Sequence, residues 1–180
     1  MRKARQIIGA LLGMGVIIPL CLAVPAAAST NSQAQAVGTP LSASPDVTEG
    51  TIFLTHATAY GWTTHGDNAQ LTIESSGQTS FYLTATSDPY FYKIHVANSS
   101  HCIEAEGNGN TEVIATDCQE GNNYQKWEAF YYNGGCTLQD KANSKLATVY
   151  NNANGKPVWE QAGIQSGSWQ TWSSRLWSGC

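Results

Sequence analysis

Chemistry in this chain would have to come from four histidines, thirteen carboxylates and five cysteines. The histidines stand at 56, 65, 95 and 101, and His65-Gly66-Asp67 is the only His/Asp cluster. Such a pair activates a nucleophile only when geometry holds all the partners in reach. Here it falls in a glycine-rich turn, where a histidine is ordinarily just solvated. No G-x-S-x-G nucleophile elbow, H-E-x-x-H zinc pattern or phosphate-cradling glycine loop occurs. Glycoside hydrolysis needs two facing carboxylates at a defined separation, and most acids here fall in turns. The sequence predicts a protein that is not an enzyme and holds no cofactor.

What the cysteines do depends on the N-terminus. Arg2, Lys3 and Arg5 precede an apolar run from Ile7 to Val24, which ends in Pro25-Ala26-Ala27-Ala28. A charged start, an apolar middle and small residues at the end predict a secretory signal peptide over residues 1–28, cleaved after Ala28 or alternatively after Ala36. An uncleaved anchor is the competing reading, since the run is nearly long enough to span a bilayer. The small-residue end favours cleavage, and Pro19-Leu20 before Cys21 lacks the small residue of a lipoprotein box. Cleavage leaves Cys102, Cys118, Cys136 and Cys180. An even number in an exported chain points to two disulfides, with three connectivities open. No C-x-x-C spacing suggests a metal site. The expected location is extracellular, away from membranes once the signal is removed.

Three of the nine basic residues leave with the signal while all 13 acids stay, so the formal net charge falls from −4 to −7. An acidic chain poor in Lys and Arg is a poor nucleic-acid binder, because phosphate binding rests on clustered positive charge. It is equally ill-suited to anionic lipid. A neutral or basic partner fits better, and sugars are neutral. Residues 29–46 are Ser, Ala, Thr, Pro and Gln with almost no large apolar side chain. Such a stretch cannot bury a core and reads as a flexible leader. One folded domain is expected over residues 47–180.

The elements that must position any site are short strands. Apolar runs such as Thr51-Ile52-Phe53-Leu54, Phe91-Tyr92-Lys93-Ile94 and Val113-Ile114-Ala115 alternate with Asn/Gly/Ser turns. That pattern predicts an all-β barrel or sandwich, and no window sustains a helical period. Tyr60-Gly61-Trp62 and Tyr90-Phe91-Tyr92 are aromatic clusters that either form exposed platforms or, as is preferred here, enter the core. Asn98-Ser99-Ser100 is a glycosylation sequon, relevant only in a eukaryotic secretory pathway.

The second half repeats itself. Gln125-Lys126-Trp127 recurs as Gln170-Thr171-Trp172, 45 residues on, and the same offset carries Val113 onto Val158. Each copy places an Asn/Gly-rich turn just before its valine. Upstream, the segment 99–105 corresponds to 143–149 with a small gap. A fixed period of this length marks a repeat architecture.

These residues resemble the ricin-type lectin domain, the R-type β-trefoil, whose units of about forty residues end in Gln-x-Trp. Cys102-Ile103-Glu104-Ala105 and Asp117-Cys118 match the family's cysteine frame, and the resemblance extends over residues 90–180. It implies a β-trefoil with units near 47–89, 90–134 and 135–180, the first degenerate. Ser80-Phe81-Tyr82 then stands at the Gln-x-Trp place, with Tyr82 in the tryptophan's slot. The resemblance also implies a Cys102–Cys118 bridge and leaves Cys136 to Cys180. Trp127 and Trp172 are expected in the shared core.

The function implied is carbohydrate binding. A sugar site needs polar groups for fixed hydroxyls and an aromatic face for the C–H patch. The family supplies an Asp, a Gln, an aromatic and an Asn. In the second unit these places hold Glu104, Ile114, Thr116 and Tyr124, with Gln125 beside the carboxylate. In the third they hold Thr148, Trp159, Gln161 and Trp169, with Gln170 following. Trp159 and Gln161, two apart on a strand, share a face. They either form a binding surface with Trp169 and Gln170 or pack under the 151–156 loop. The expected partner is a glycan or polysaccharide. The alternative is a trefoil with eroded sugar sites that binds an extracellular protein, as an inhibitor for example.

Overall fold

The computed structural model describes residues 38–44, 47–106, 112–164 and 168–180. The expected signal peptide, and residues 29–37 and 45–46 of the expected leader, lie outside them. Within the described residues the strands fall into three successive groups. The first holds β1 Ile52–Leu54, β2 Ala57–Thr63, β3 Ala69–Gln70, β4 Thr72–Glu74 and β5 Phe81–Ala85. The second holds β6 Tyr92–Val96, β7 His101–Ala105, β8 Val113–Asp117 and β9 Trp127–Tyr132. The third holds β10 Gly135–Asp140, β11 Leu146–Thr148, β12 Lys156–Pro157, β13 Trp159–Gln161 and β14 Trp172–Ser174. Short 3-10 turns at Asn123–Gln125 and Ser168–Gln170 lead into β9 and β14.

The first and last strands of each group close into a six-stranded ring. β5 pairs with β6, β9 with β10 and β14 with β1. Tyr92↔Trp127, Cys136↔Trp172 and the Gly50↔Phe81 bridge complete the circuit. Closure satisfies the main-chain groups that an open sheet would leave at its edges. Asn133-Gly134 joins β9 to β10, with φ values of 46° and 81°. Both are positive, as a two-residue type I′ hairpin turn requires, and Asn-Gly is the pair that best tolerates it.

The inner strands form three hairpins that cap the ring: β2 with β4, β7 with β8 and β11 with β13. The caps meet in a closed circuit of main-chain hydrogen bonds. The Leu71 amide donates to Val113, Val113 to Val158 and Val158 back to Leu71, at 2.8, 3.2 and 2.8 Å. All three side chains are fully buried. The two valines are the pair that the 45-residue offset matched.

The indoles of Trp127 and Trp172 are buried at matching places. Trp127 Nε1 donates to the Ile103 carbonyl at 2.9 Å, and Trp172 Nε1 donates to that of Ala147 at 3.1 Å. The same register assigns Phe81, not Tyr82, to this slot in the first unit. Tyr82 is half-buried and stacks on His95 at 4.6 Å. The reason is volume. Trp62 stands where the other units have Ile103 and Ala147, and it packs edge-on against Phe81 and Trp172 at 6.1 and 5.2 Å. The bulk that a tryptophan supplies elsewhere comes here from the neighbouring strand. Of the two aromatic clusters, Trp62 is in the core while Tyr90 is exposed.

Both disulfides are present: Cys102–Cys118 ties β7 to the end of β8, and Cys136–Cys180 ties β10 to the chain end. The leader needs a correction over residues 38–44. Leu41 N–H donates to Ala129, Ser44 N–H to Leu176, and Ser178 N–H to Ser42, at 2.8, 2.8 and 3.0 Å. This segment is held by its main chain, with Leu41 packed on the core. Such bonding leaves no mark in composition.

Candidate functional site

The second unit builds a carboxylate site from three chain segments. β7 presents Glu104, which is half-buried and faces Ile114 across the hairpin. Gln125, at the end of the 3-10 turn, is fully buried. Its Nε2 donates to Glu104 Oε2 at 2.8 Å and to the Asp117 carbonyl at 2.9 Å. Its Oε1 accepts the Gln119 N–H at 2.8 Å. Every polar atom of the amide is thereby used, which a buried amide requires. Asn122 donates to the same Glu104 oxygen at 3.0 Å. Its own Oδ1 caps the 3-10 turn by accepting the Tyr124 N–H at 2.9 Å.

Two amides thus hold Glu104 Oε2, while Oε1 has no partner among the described residues. A carboxylate fixed through one oxygen and open at the other is an acceptor for ligand hydroxyls. Asn122 was missed from the sequence, where the amide was sought at position 124. Its signal is Asn-x-x-Gln-x-Trp, with the turn bringing the residue three before Gln125 back to the site. Tyr124 itself packs partly buried against the core.

The third unit repeats the fork without the acid. Gln170 Nε2 donates to Thr148 Oγ1 at 3.0 Å and to the Gly163 carbonyl at 3.1 Å. The Thr148 hydroxyl donates back to Leu146 at 2.9 Å. The hairpin registers place Thr63 of the first unit at the same position, with its hydroxyl 3.5 Å from the Gly61 carbonyl. Trp159 and Gln161 are both half-buried, with buried Glu160 between them, so they share the outer face of β13. Trp169 is partly buried against the core. The 151–156 loop is tied to β4 instead: Asn154 Oδ1 accepts from Ser75 N at 2.7 Å, and Gly155 N–H donates to Ile73 at 2.9 Å. Tyr150, 62% exposed just beyond β11, is an aromatic that the sequence reading overlooked.

Glu160 is the unexpected acid. It occupies the place of Ala115 and Ile73 in the other units, and only 2% of it is exposed. Burial, and then the neighbouring Asp140 carboxylate, push its carboxyl up to about 9. It is therefore neutral at pH 7.

His65 Nε2 lies 2.7 Å from Thr72 Oγ1 and 3.7 Å from Glu74 Oε1. His101 lies between Asp67 and Asp117 at 3.7 and 3.9 Å. His95 sits over the Cys102–Cys118 bridge, its Nδ1 3.3 Å from Cys118 Sγ. These three residues group as metal ligands would, but both sulfurs are committed to the disulfide and offer no thiolate.

A six-stranded ring, three caps and repeated Gln forks define one architecture. The fold is a β-trefoil. Residues 78–161 match the family described as ricin-type beta-trefoil lectin domain-like, and the resemblance read from the repeats holds. Among solved structures the trefoil is similar to ThreeFoil, a designed three-fold symmetric protein, at 17% identity and TM-score 0.61, covering 70% of this chain and 96% of that one. It is also similar to a Polyporus squamosus lectin bound to a sialylated influenza-binding epitope, at 13% identity and TM-score 0.61, covering 72% and 49%. An exo-β-1,3-galactanase from Clostridium thermocellum matches at 19% identity and TM-score 0.62, covering 73% of this chain and 31% of that one. At such identities the likeness is one of fold, and the chain spans about half the lectin and a third of the galactanase. No curated protein matches the sequence.

Proposed function

We propose that this trefoil is an exported carbohydrate-binding module that does no catalysis. The observation that carries the reading is Glu104, held by Gln125 and Asn122 through one oxygen and open at the other. An anchored carboxylate meets sugar hydroxyls at little ordering cost. Trp159 and Gln161, with Trp169 alongside, supply a second, weaker surface, while Gln170, only 2% exposed, is spent in the fork beneath it. Engagement of both surfaces by one polysaccharide would add avidity. The two disulfides fit an oxidising, extracellular setting. No helix among the described residues is long and apolar enough to cross a membrane. The test is a glycan array and polysaccharide pull-down with the secreted protein beside Glu104→Gln and Trp159→Ala variants. Binding that weakens in either variant supports the reading, and no binding to any glycan rejects it.

A second reading draws on Thr63 and Thr148. With the carboxylate replaced in two of three units and each hydroxyl aimed at its own strand, the scaffold serves as a protein-binding surface. Co-purification of one extracellular protein, unaffected by added sugars, would favour it.

A further inference from the structure

The outer face of the β5–β6 hairpin and the loop from Gln119 to Lys126 enclose a cleft of about 460 Å³. That volume falls within the range of about 300–1,000 Å³ typical of small-molecule sites. Lys93, His95 and Lys126 line it, with Ser87, Thr86 and Glu120. Lys93 Nζ donates to the Gln119 carbonyl at 2.6 Å, and Lys126 Nζ to Asp88 at 2.8 Å. Each ammonium has three N–H groups, so both keep donors for a ligand. Burial, and then the Lys93 charge, hold His95 below its usual range.

The threefold repeat supplies an internal comparison. Phe81↔Val96, Trp127↔Asp140 and Trp172↔Leu54 are equivalent pairs. Counting from them, Lys93 corresponds to Thr137 and Thr51, His95 to Gln139 and Phe53, and Lys126 to Thr171 and Ser80. The fold is built twice without these basic residues. Six lysines and arginines follow residue 28. Three of them, Lys93, Lys126 and Lys141, gather at this cleft and at Asp88 behind it. The chain is acidic as a whole, but charges beyond about 8 Å are largely screened at physiological ionic strength. Locally the cleft is cationic.

We propose that this cleft binds the carboxylate-bearing residue of an acidic glycan, a uronic acid. Its carboxylate meets the Lys93 and Lys126 ammonium groups. Its ring hydroxyls meet Ser87 beside His95, whose Nε2 lies 2.8 Å from Thr84 Oγ1. The site is separate from Glu104, though Gln119 touches both: its N–H goes to Gln125 and its carbonyl receives Lys93.

The experiment is calorimetric and NMR titration of the secreted protein with trigalacturonic acid, a neutral galactose trimer and citrate. Trigalacturonic acid should bind and shift the His95 ring signals. Its affinity should fall at least fivefold in Lys93→Gln and stay unchanged in Lys156→Gln, an exposed lysine outside the cleft. Glu120→Gln removes the opposing carboxylate, so it should tighten binding, which a purely structural cleft would not do. Absence of uronate binding, equal affinity in Lys93→Gln, or loss in Glu104→Gln alone would overturn the proposal. So would citrate binding as tightly, which would mark a simple anion site. Neutral glycan binding through Glu104 without uronate binding would leave the lectin reading intact and end this one.

Discussion

Gln125 Nε2 lies 2.8 Å from Glu104 Oε2, and that single bond joins the buried repeat signature to the one carboxylate the units kept at this place. Gln125→Ala should act twice. It orphans the Gln119 N–H and the Asp117 carbonyl, so stability should drop by about 1–3 kcal/mol. It also frees Glu104, so sugar affinity should fall further than stability explains. Glu104→Gln keeps the shape and should lower affinity with little change in stability. Urea unfolding and glycan titration on both variants separate the two effects.

Phe81 and Trp62 should behave as a coupled pair. Trp62→Ala should cost about 3–5 kcal/mol. Phe81→Trp alone overfills the core and should cost about 1–3 kcal/mol. Phe81→Trp combined with Trp62→Ile restores the partition of volume seen in the second unit. That double variant should be more stable than the two single effects, added together, would give. Strict additivity in a double-mutant cycle would refute the account.

Acid–base behaviour follows from Glu160. Its carboxyl titrates near 4.5 when unfolded and at about 9 when folded. Between these values the unfolded chain ionises and the folded chain does not, so stability falls as pH rises from about 4.5 to about 9. Burial pushes Glu128 up to about 7, which adds to the decline over its lower part. Glu160→Gln should flatten the profile above pH 7 and leave the Glu128 contribution below it. Unfolding midpoints across that range, compared with wild type, check this.

The two bridges should differ in weight. They close loops of sequence separation 16 and 44. In the chain-entropy model each contributes about 3–4 kcal/mol, the longer about 1 kcal/mol more. Replacing Cys136 and Cys180 together by Ala should therefore lower the unfolding midpoint more than replacing Cys102 and Cys118.

The sequence exposed those parts of the structure that recur at one spacing. Gln125 and Gln170, Trp127 and Trp172, and the valine pair share a period of 45, and each kept its residue type. The first unit's core was misread because volume had moved from one strand to another. A register search compares positions singly and cannot see Trp62 filling in for Phe81. The 38–44 segment was taken for free leader because its anchoring is through amides and carbonyls, which every composition carries. Glu160 carries no sequence signal, since its place belongs to Ala115 and Ile73 in the other units and only the hairpin registers reveal that.

The circuit from Leu71 to Val113 to Val158 has a kinetic meaning. No unit can complete a bond of the circuit alone, and removing any one leaves an amide of one neighbour and a carbonyl of the other bare. Local opening of a single cap is thereby suppressed, and these three amides should exchange with deuterium together, at the rate set by unfolding of the entire molecule.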